Sequence, residues 1–415
     1  MKTLQTRFGL LVFSAIAAIM PGAAAQTVVQ GTGNPDADIP AVQAAVNQGG
    51  QVVLEGHFSF NKPPAVQTAL PIAVFPSATI LIVKAVSISG VGTGDYMTSI
   101  EGGTIPFYID APGAAVSIQG LRFIDPTVSA ILAYAATGLT IASCKIEGVV
   151  PLPKNGSIAI AIDTSGSVPT PTSPGEPANI SGPVVVVDND IDVAGGTDLD
   201  NTLGILIYSV GESPAMEADV TVSGNQIRNV TEPAINLRRI GGRASVVGNI
   251  LTTGPISSTV NPGSDVIRIA NTGSFEISGN VITSEWPDPG AVGIGVFSQF
   301  AAWPMQNAIV LGNDVTMSPP LGTVFVAESA GIDVRGFAQG NFVAGNWIHG
   351  QGRAALAVDD FKGGTPANNT FIGNLVDDFE ASVADVFIDV GVTNTLLFGQ
   401  PGTIEDHGVN TVIVQ

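Results

Sequence analysis

A chain of 415 residues with one cysteine, Cys144, cannot hold itself together with an internal disulfide, so its stability must come from burial and hydrogen bonding. Basic residues are scarce as well. Lys and Arg number 15 against 35 Asp and Glu, a formal net charge of −20, which argues against a nucleic-acid partner because such binding depends on neutralising phosphates. The three histidines, His57, His349 and His407, are widely spaced and make no zinc pattern. Beyond the start, no apolar run reaches the roughly 18 residues that a membrane span requires. The nearest, Leu70 to Val86, is broken by Pro71, Pro76 and Lys84. Residues 1–25 read instead as an export signal: Lys2 and Arg7 charge its start, Leu10 to Met20 is apolar, and Ala23-Ala24-Ala25 offers a cleavage site. Residues 26–415 are therefore expected as one domain outside the cytoplasm, secreted or periplasmic.

What the chain has in quantity is Gly, Val and Ile, a composition that favours strands over helices. It also has a repeat. Ser274-Phe-Glu-Ile-Ser-Gly-Asn280-Val-Ile282 recurs as variants ending in Gly-Asn at Asn225, Asn249, Asn313, Asn346 and Asn374. The intervals are 24, 31, 33, 33 and 28 residues, a period that marks a solenoid of stacked coils. Gly and Asn tolerate the left-handed backbone of a corner, and stacked Asn amides can bond one another. Leu121 and Cys144 fill the asparagine slot in two early variant coils, where they are expected only to pack. Each full coil has a second strand, among them Ile205-Leu-Ile207, Ile235-Asn-Leu237, Ile267-Arg-Ile269 and Ile332-Asp-Val334, whose apolar residues should point inward and whose alternate residues should point out. Residues 38–50 read as an N-terminal capping helix, with Asp38 capping, Gly49-Gly50 ending it, and Ile39, Val42 and Val46 on one face. The Pro-rich run 168–183 is expected to loop out of one coil, since proline lacks the ladder donor.

The helix signal, the stretch from Gly49 to Phe60, the Val86 to Gly94 run and the Gly-Asn repeats together resemble the pectate-lyase-like superfamily of right-handed parallel β-helices. The resemblance implies an all-β, single-stranded right-handed parallel β-helix of about a dozen coils. The superfamily includes lyases, hydrolases, epimerases and non-catalytic surface proteins, so it fixes no activity. In similar proteins the substrate groove runs over the outward face of the second strand.

Two outward columns follow from the alternation. One reads Tyr208, Arg238, Ala270, Phe297, Arg335, Asp359; its neighbour reads Leu206, Asn236, Arg268, Gly295, Asp333, Ala357. Arg239, Arg243 and Asp360 lie just beyond. Arginines gathered on one face of an acidic chain suggest recognition of carboxylate or sulfate groups on an acidic polysaccharide. Arg238, Arg268 and Arg335 are the candidates for a β-eliminating lyase, with Tyr208, Asn236, Arg239, Phe297 and Asp360 as substrate contacts. A hydrolase, the less favoured enzyme, would need paired carboxyls, for which Asp333, Asp359, Asp360 and Asp389 qualify. Asp359-Asp360 resembles the aspartate pair of polygalacturonases, whose companion motifs are missing. The opposing reading is a solvated face on which Arg335 pairs with Asp333 and Arg268 with a nearby carboxylate, in a non-catalytic surface or adhesive scaffold. No cofactor is expected. Asp188-Asn-Asp190-Ile-Asp192 resembles the start of a calcium loop, but Val193 and Leu199 stand where Gly and Glu are needed. Trp286, Trp303 and Trp347 remain as candidate sugar-stacking rings.

Overall fold

The computed structural model describes residues 26–62, 79–149, 157–163, 180–193, 202–208, 210, 218–254, 265–270, 272–286, 289–301, 304–320, 322–325, 329–400 and 402–414. The export signal, Trp303, Leu199 and most of the Pro-rich run lie outside them. Every strand pair joining successive coils is parallel, and the strands fall on three faces of a coil. Face A precedes the Gly-Asn corner (Val220–Ser223, Ala244–Val247, Phe275–Ser278, Ile309–Leu311). Face B follows it (Gln226–Val230, Ile250–Thr253, Val281–Ser284, Asp314–Met317) and, among the described residues, is an 11-stranded sheet. Face C carries the second strands (Thr202–Tyr208, Ile235–Arg238, Asp265–Ala270, Val292–Ser298, Ala330–Gly336, Ala354–Asp359). One long strand, Ile131–Ala142, begins in face C and ends in face A. The chain is thus a parallel β-helix. Among the described residues no helix is long and apolar enough to cross a membrane.

The period-2 pattern explains the core. On face C, Ile205, Ile235, Ile267, Ile294, Ile332 and Leu356 stack in register and are all fully buried. A buried side chain of this size contributes roughly 1.5 to 3 kcal/mol, and each coil repeats the contribution.

The corner divides its two demands between two residues. Gly takes the left-handed backbone, with φ +65° at Gly248 and +61° at Gly279. Asn takes the interior. Asn189, Asn225, Asn249, Asn280, Asn313, Asn346 and Asn374 are buried, and each Nδ2 from Asn189 to Asn346 donates to the next Oδ1 at 2.8 to 2.9 Å. Asn374 continues the ladder into Gln400 Oε1 at 3.2 Å. At its other end Asn189 Oδ1 accepts the backbone N–H of Cys144 at 2.9 Å, so the variant coil closes the ladder with main chain. Burial pushes the Cys144 thiol up to about 12, consistent with a packing role.

The N-terminal helix α1 spans Pro35–Gln48, three residues earlier than the sequence suggested. Its cap is Asn34, whose side chain accepts from the Asp36 N–H at 3.0 Å. Asp38 is buried and does something else. Its carboxylate accepts from Thr32 N and Oγ1 and from Ser59 N, stitching the helix to the first coils. Ile39, Val42 and Val46 face the core as expected. The Pro-rich excursion also ends sooner than expected. Ile180–Val187 is already a strand, and its register against Ile131–Ala142 shifts opposite Gly182-Pro183, a bulge that spares Pro183 from having to donate.

Candidate functional site

Both outward columns on face C assemble as the alternation implies. Tyr208 pairs with Arg238, Arg238 with Ala270, Ala270 with Phe297, Phe297 with Arg335 and Arg335 with Asp359. Leu206, Asn236, Arg268, Gly295, Asp333 and Ala357 pair in the same order beside them.

The side chains sort into two layers. Arg335 is 2 % exposed and donates through Nη1 to Asp333 Oδ2 at 3.0 Å and through Nη2 to Asp265 Oδ1 at 2.6 Å. Phe297 and Phe361 roof it, edge to face with each other, with the guanidinium 4.9 and 5.3 Å from their ring centres. Phe297 is itself buried, so it acts as a lid over Arg335. Asp333 is fully buried; desolvation holds its carboxyl well above the usual range although Arg335 opposes this, and its Oδ1 has no hydrogen-bond partner. Asp359 is paired with Arg353, whose guanidinium lies 4.3 Å from the Phe387 ring centre, and burial raises its pKa too. This layer is sealed from a polymer passing over the face.

The second layer reaches solvent. Arg268 donates through Nε to Asp265 Oδ2 at 2.7 Å and keeps 14 % of its side chain exposed. Arg238, half-buried in the preceding coil, donates through Nε to the neutral Asn236 Oδ1 at 2.9 Å. Among the described residues no carboxylate stands within ion-pair distance of it. Burial, helped by the charge of Arg268, lowers its pKa to about 10. Half-buried Tyr208 neighbours Arg238, and the Arg239 guanidinium, 5.9 Å from the Tyr208 ring centre, follows from a left-handed backbone at φ 56°. Asn236 is buried beneath Arg238, and Asp360 is exposed at the end of its strand. The structure therefore brings Tyr208, Asn236, Arg238, Arg239 and Arg268 together, and places Asp333, Arg335 and Asp359 under aromatic cover.

Asp265 is the residue that sequence reasoning missed. Its fully buried carboxylate joins Arg268 of its own strand to Arg335 two coils on. It crosses the intervening coil at Gly295, where an added Cβ would meet the Asp265 carboxyl carbon at 2.5 Å. Alternation from Ile267 and Ile269 would turn Asp265 inward. Val266 and Ile267 both face the core, however, and this local irregularity turns Asp265 out. The pairings of Arg335 with Asp333 and of Arg268 with a neighbouring carboxylate are those of the opposing reading, but Arg335 is buried under two rings where that reading had a solvated face.

Other candidates lie elsewhere. Asp190 and Asp192 pair with Arg228 at 2.7 and 3.5 Å on face B. Trp286 is buried, with Nε1 donating to Val230 O at 3.1 Å. Trp347 is exposed on face B beside His349.

No family model and no curated protein matches the chain. Among solved structures, the Streptococcus pneumoniae surface protein and adhesin PfbA aligns with a TM-score of 0.53 and 11 % identity over 94 % of this chain and 100 % of its own. A mannuronic-acid-specific polysaccharide family 6 lyase from human gut microbiota aligns with a TM-score of 0.42 and 13 % identity, over 94 % of this chain and 82 % of its own. A mutant DFA-IIIase from Arthrobacter chlorophenolicus A6 reaches 0.47 at 12 % identity, over 90 % and 94 %. At these identities the likeness concerns the fold, and by fold the chain belongs with the parallel β-helix proteins.

Proposed function

We propose that this is an exported β-helix protein that binds an acidic polysaccharide across face C, at Arg238, Arg268 and Tyr208. One observation carries the reading. In a chain of net charge −20, half-buried Arg238 has a neutral amide as its hydrogen-bond partner and feels the charge of Arg268, with Asp265 and Glu232 opposing only at longer range, so the arginine pair keeps positive charge for an incoming carboxylate or sulfate. Tyr208 in the adjacent coil supplies a ring edge or face for a sugar. Hydrolysis is not favoured, because Asp333 and Asp359, two of the carboxyls it would pair, are buried and would have to be uncovered to act as acid or base, whereas elimination at Arg238 and Arg268 needs no such uncovering. The name of the pneumococcal protein, an adhesin, agrees with a binding role, but the proposal rests on the arginine pair. Right-handed winding and about a dozen coils belong to the same proposal, on the strong preference of parallel crossovers for that hand.

Affinity electrophoresis through gels containing polyuronates, sulfated glycans or neutral glucans tests it. The native protein should be retarded by the anionic polymers alone. Arg238→Met should abolish the retardation while leaving the melting temperature near that of the parent. Equal retardation by neutral glucans, or retention in the Arg238→Met variant, defeats the reading. Appearance of unsaturated or reducing ends would show turnover and extend binding to a lyase or a hydrolase.

A further inference from the structure

Face A differs from the other faces in what it lacks. Its two outward columns run in register from Ser87 and Ser89 to Val412 and Val414, and among the described residues Glu276 is their one charged member. Face B, around the corner, carries Arg122, Lys145, Glu147, Asp190, Asp192 and Arg228 on its outward positions, and further on Asp314, Asp378 and Glu380. In the N-terminal half, face A presents small residues, as in the column Ser87, Ser117, Thr140, Val185, Thr221, Ser245. Its C-terminal half is apolar. Ile309, Leu311, Phe342, Phe398, Val412 and Val414 are 37 to 54 % exposed, with half-buried Ile372 and Leu396 between them and Thr370 as the one polar member.

We infer that the C-terminal half of face A, between Ile309 and Val414, is a self-association surface that packs against the same surface of a second copy. Three arguments select this occupant. The six most exposed side chains present on the order of 500 Å² of apolar surface, the upper range of what a monomer displays in one patch. Two such faces would hide roughly 1,000 Å² together, the threshold for a biological contact and the size of a weak, concentration-dependent pair. Charge is the second argument. A second copy brings the same net charge of −20, and this half of face A lets two copies meet without setting carboxylates against each other. Shape and chemistry are the third. A parallel sheet of short strands matches another sheet stacked about 10 Å away, whereas a sugar polymer needs hydroxyl partners that Thr370 alone would supply. A two-fold axis, the commonest symmetry for such a contact, would pass near the middle strand, Thr370–Ile372.

Sedimentation velocity of the full chain over concentrations on the order of 1 to 100 µM reads the association. The parent protein should move from monomer to dimer across that range. Leu311→Lys with Phe398→Lys should remain monomeric throughout, with unchanged circular dichroism, because both side chains point outward. A second measurement does not depend on those variants folding. With a bis-maleimide reagent spanning about 10 Å, Thr370→Cys should give a crosslinked dimer and Ser87→Cys should not, the native Cys144 being buried. A parent protein that stays monomeric, a dimer that survives both lysines, or equal crosslinking through Ser87→Cys would each overturn the inference. So would a monomer whose apolar face instead pellets with lipid vesicles or an insoluble glucan.

Discussion

Truncating one amide in the middle of the asparagine ladder tests the fold most directly. Asn280 Oδ1 accepts from Asn249 N and Asn249 Nδ2, both at 2.9 Å, while its own Nδ2 donates to Asn313 Oδ1 and to Val246 O, both at 2.9 Å. Its side chain therefore makes four hydrogen bonds with no solvent contact. In Asn280→Ala the backbone N–H of Asn249 loses its acceptor outright, whereas Asn249 Nδ2 keeps Val222 O at 3.0 Å. An orphaned buried donor costs about 1 to 3 kcal/mol, and the loss of cooperative polarisation along the ladder adds to it, so about 2 to 4 kcal/mol is expected. Urea denaturation followed by circular dichroism gives the value if the transition is single; a solenoid can also lose coils separately, which would split it. Hydrogen exchange at the Asn249 amide gives an independent local readout, and it should accelerate more than the amide of Asn346. An unchanged urea midpoint together with unchanged exchange at Asn249 would refute the claim that the ladder carries stability.

Four further outcomes are expected. Asp265→Ala leaves Arg268 and Arg335 with one fewer carboxylate between them and should cost roughly 3 to 5 kcal/mol, as does breaking other buried ion pairs, measured by the same denaturation. Gly295→Ala should lower stability in the same direction, since its methyl would collide with that carboxylate; the double variant should cost much less than the sum, which a double-mutant cycle reads. Gly279→Ala meets no atom within 4 Å but must hold φ +61°, so it should cost about 1 to 2 kcal/mol, and Gly279→Asn less. Asp333 gives a pH dependence. Its folded pKa is raised above the unfolded value of about 3.9, so the folded state keeps the proton longer, and the stability from this group is full below that value and is lost as pH rises through the folded pKa. Asp333→Asn should remove that decline from melts taken across acid to neutral pH while retaining an acceptor for Arg335, and parallel profiles for the two proteins would exclude it.

The periodic features were legible and the local exceptions were not. The repeat interval and the Ile-x-Val alternation suffice to place Tyr208 beside Arg238 and Asn236 beside Arg268, because stacking in register turns a sequence interval into a vertical neighbour. The division of the corner was not legible, since Gly and Asn both tolerate a left-handed backbone, and the structure gives that backbone to Gly279 and the interior amide to Asn280. Alternation says which way a side chain leaves the strand and nothing about what then covers it. Arg335 and Phe297 leave outward as expected, yet Phe361, from the turn beyond face C, closes over both. Asp265 escaped for the opposite reason, since two consecutive core-facing residues, Val266 and Ile267, reverse its side, and strict alternation has no place for such a pair. The cost of that concealment bears on function. A guanidinium sealed against the Asp265 carboxylate and two rings, as Arg335 is, has its charge already answered, and an anionic polymer gains little by approaching it. Arg238 has a neutral amide as its hydrogen-bond partner and feels Asp265 and Glu232 only at longer range, so a face that reads in sequence as a strip of equivalent arginines divides into a sealed guanidinium and a more weakly compensated one.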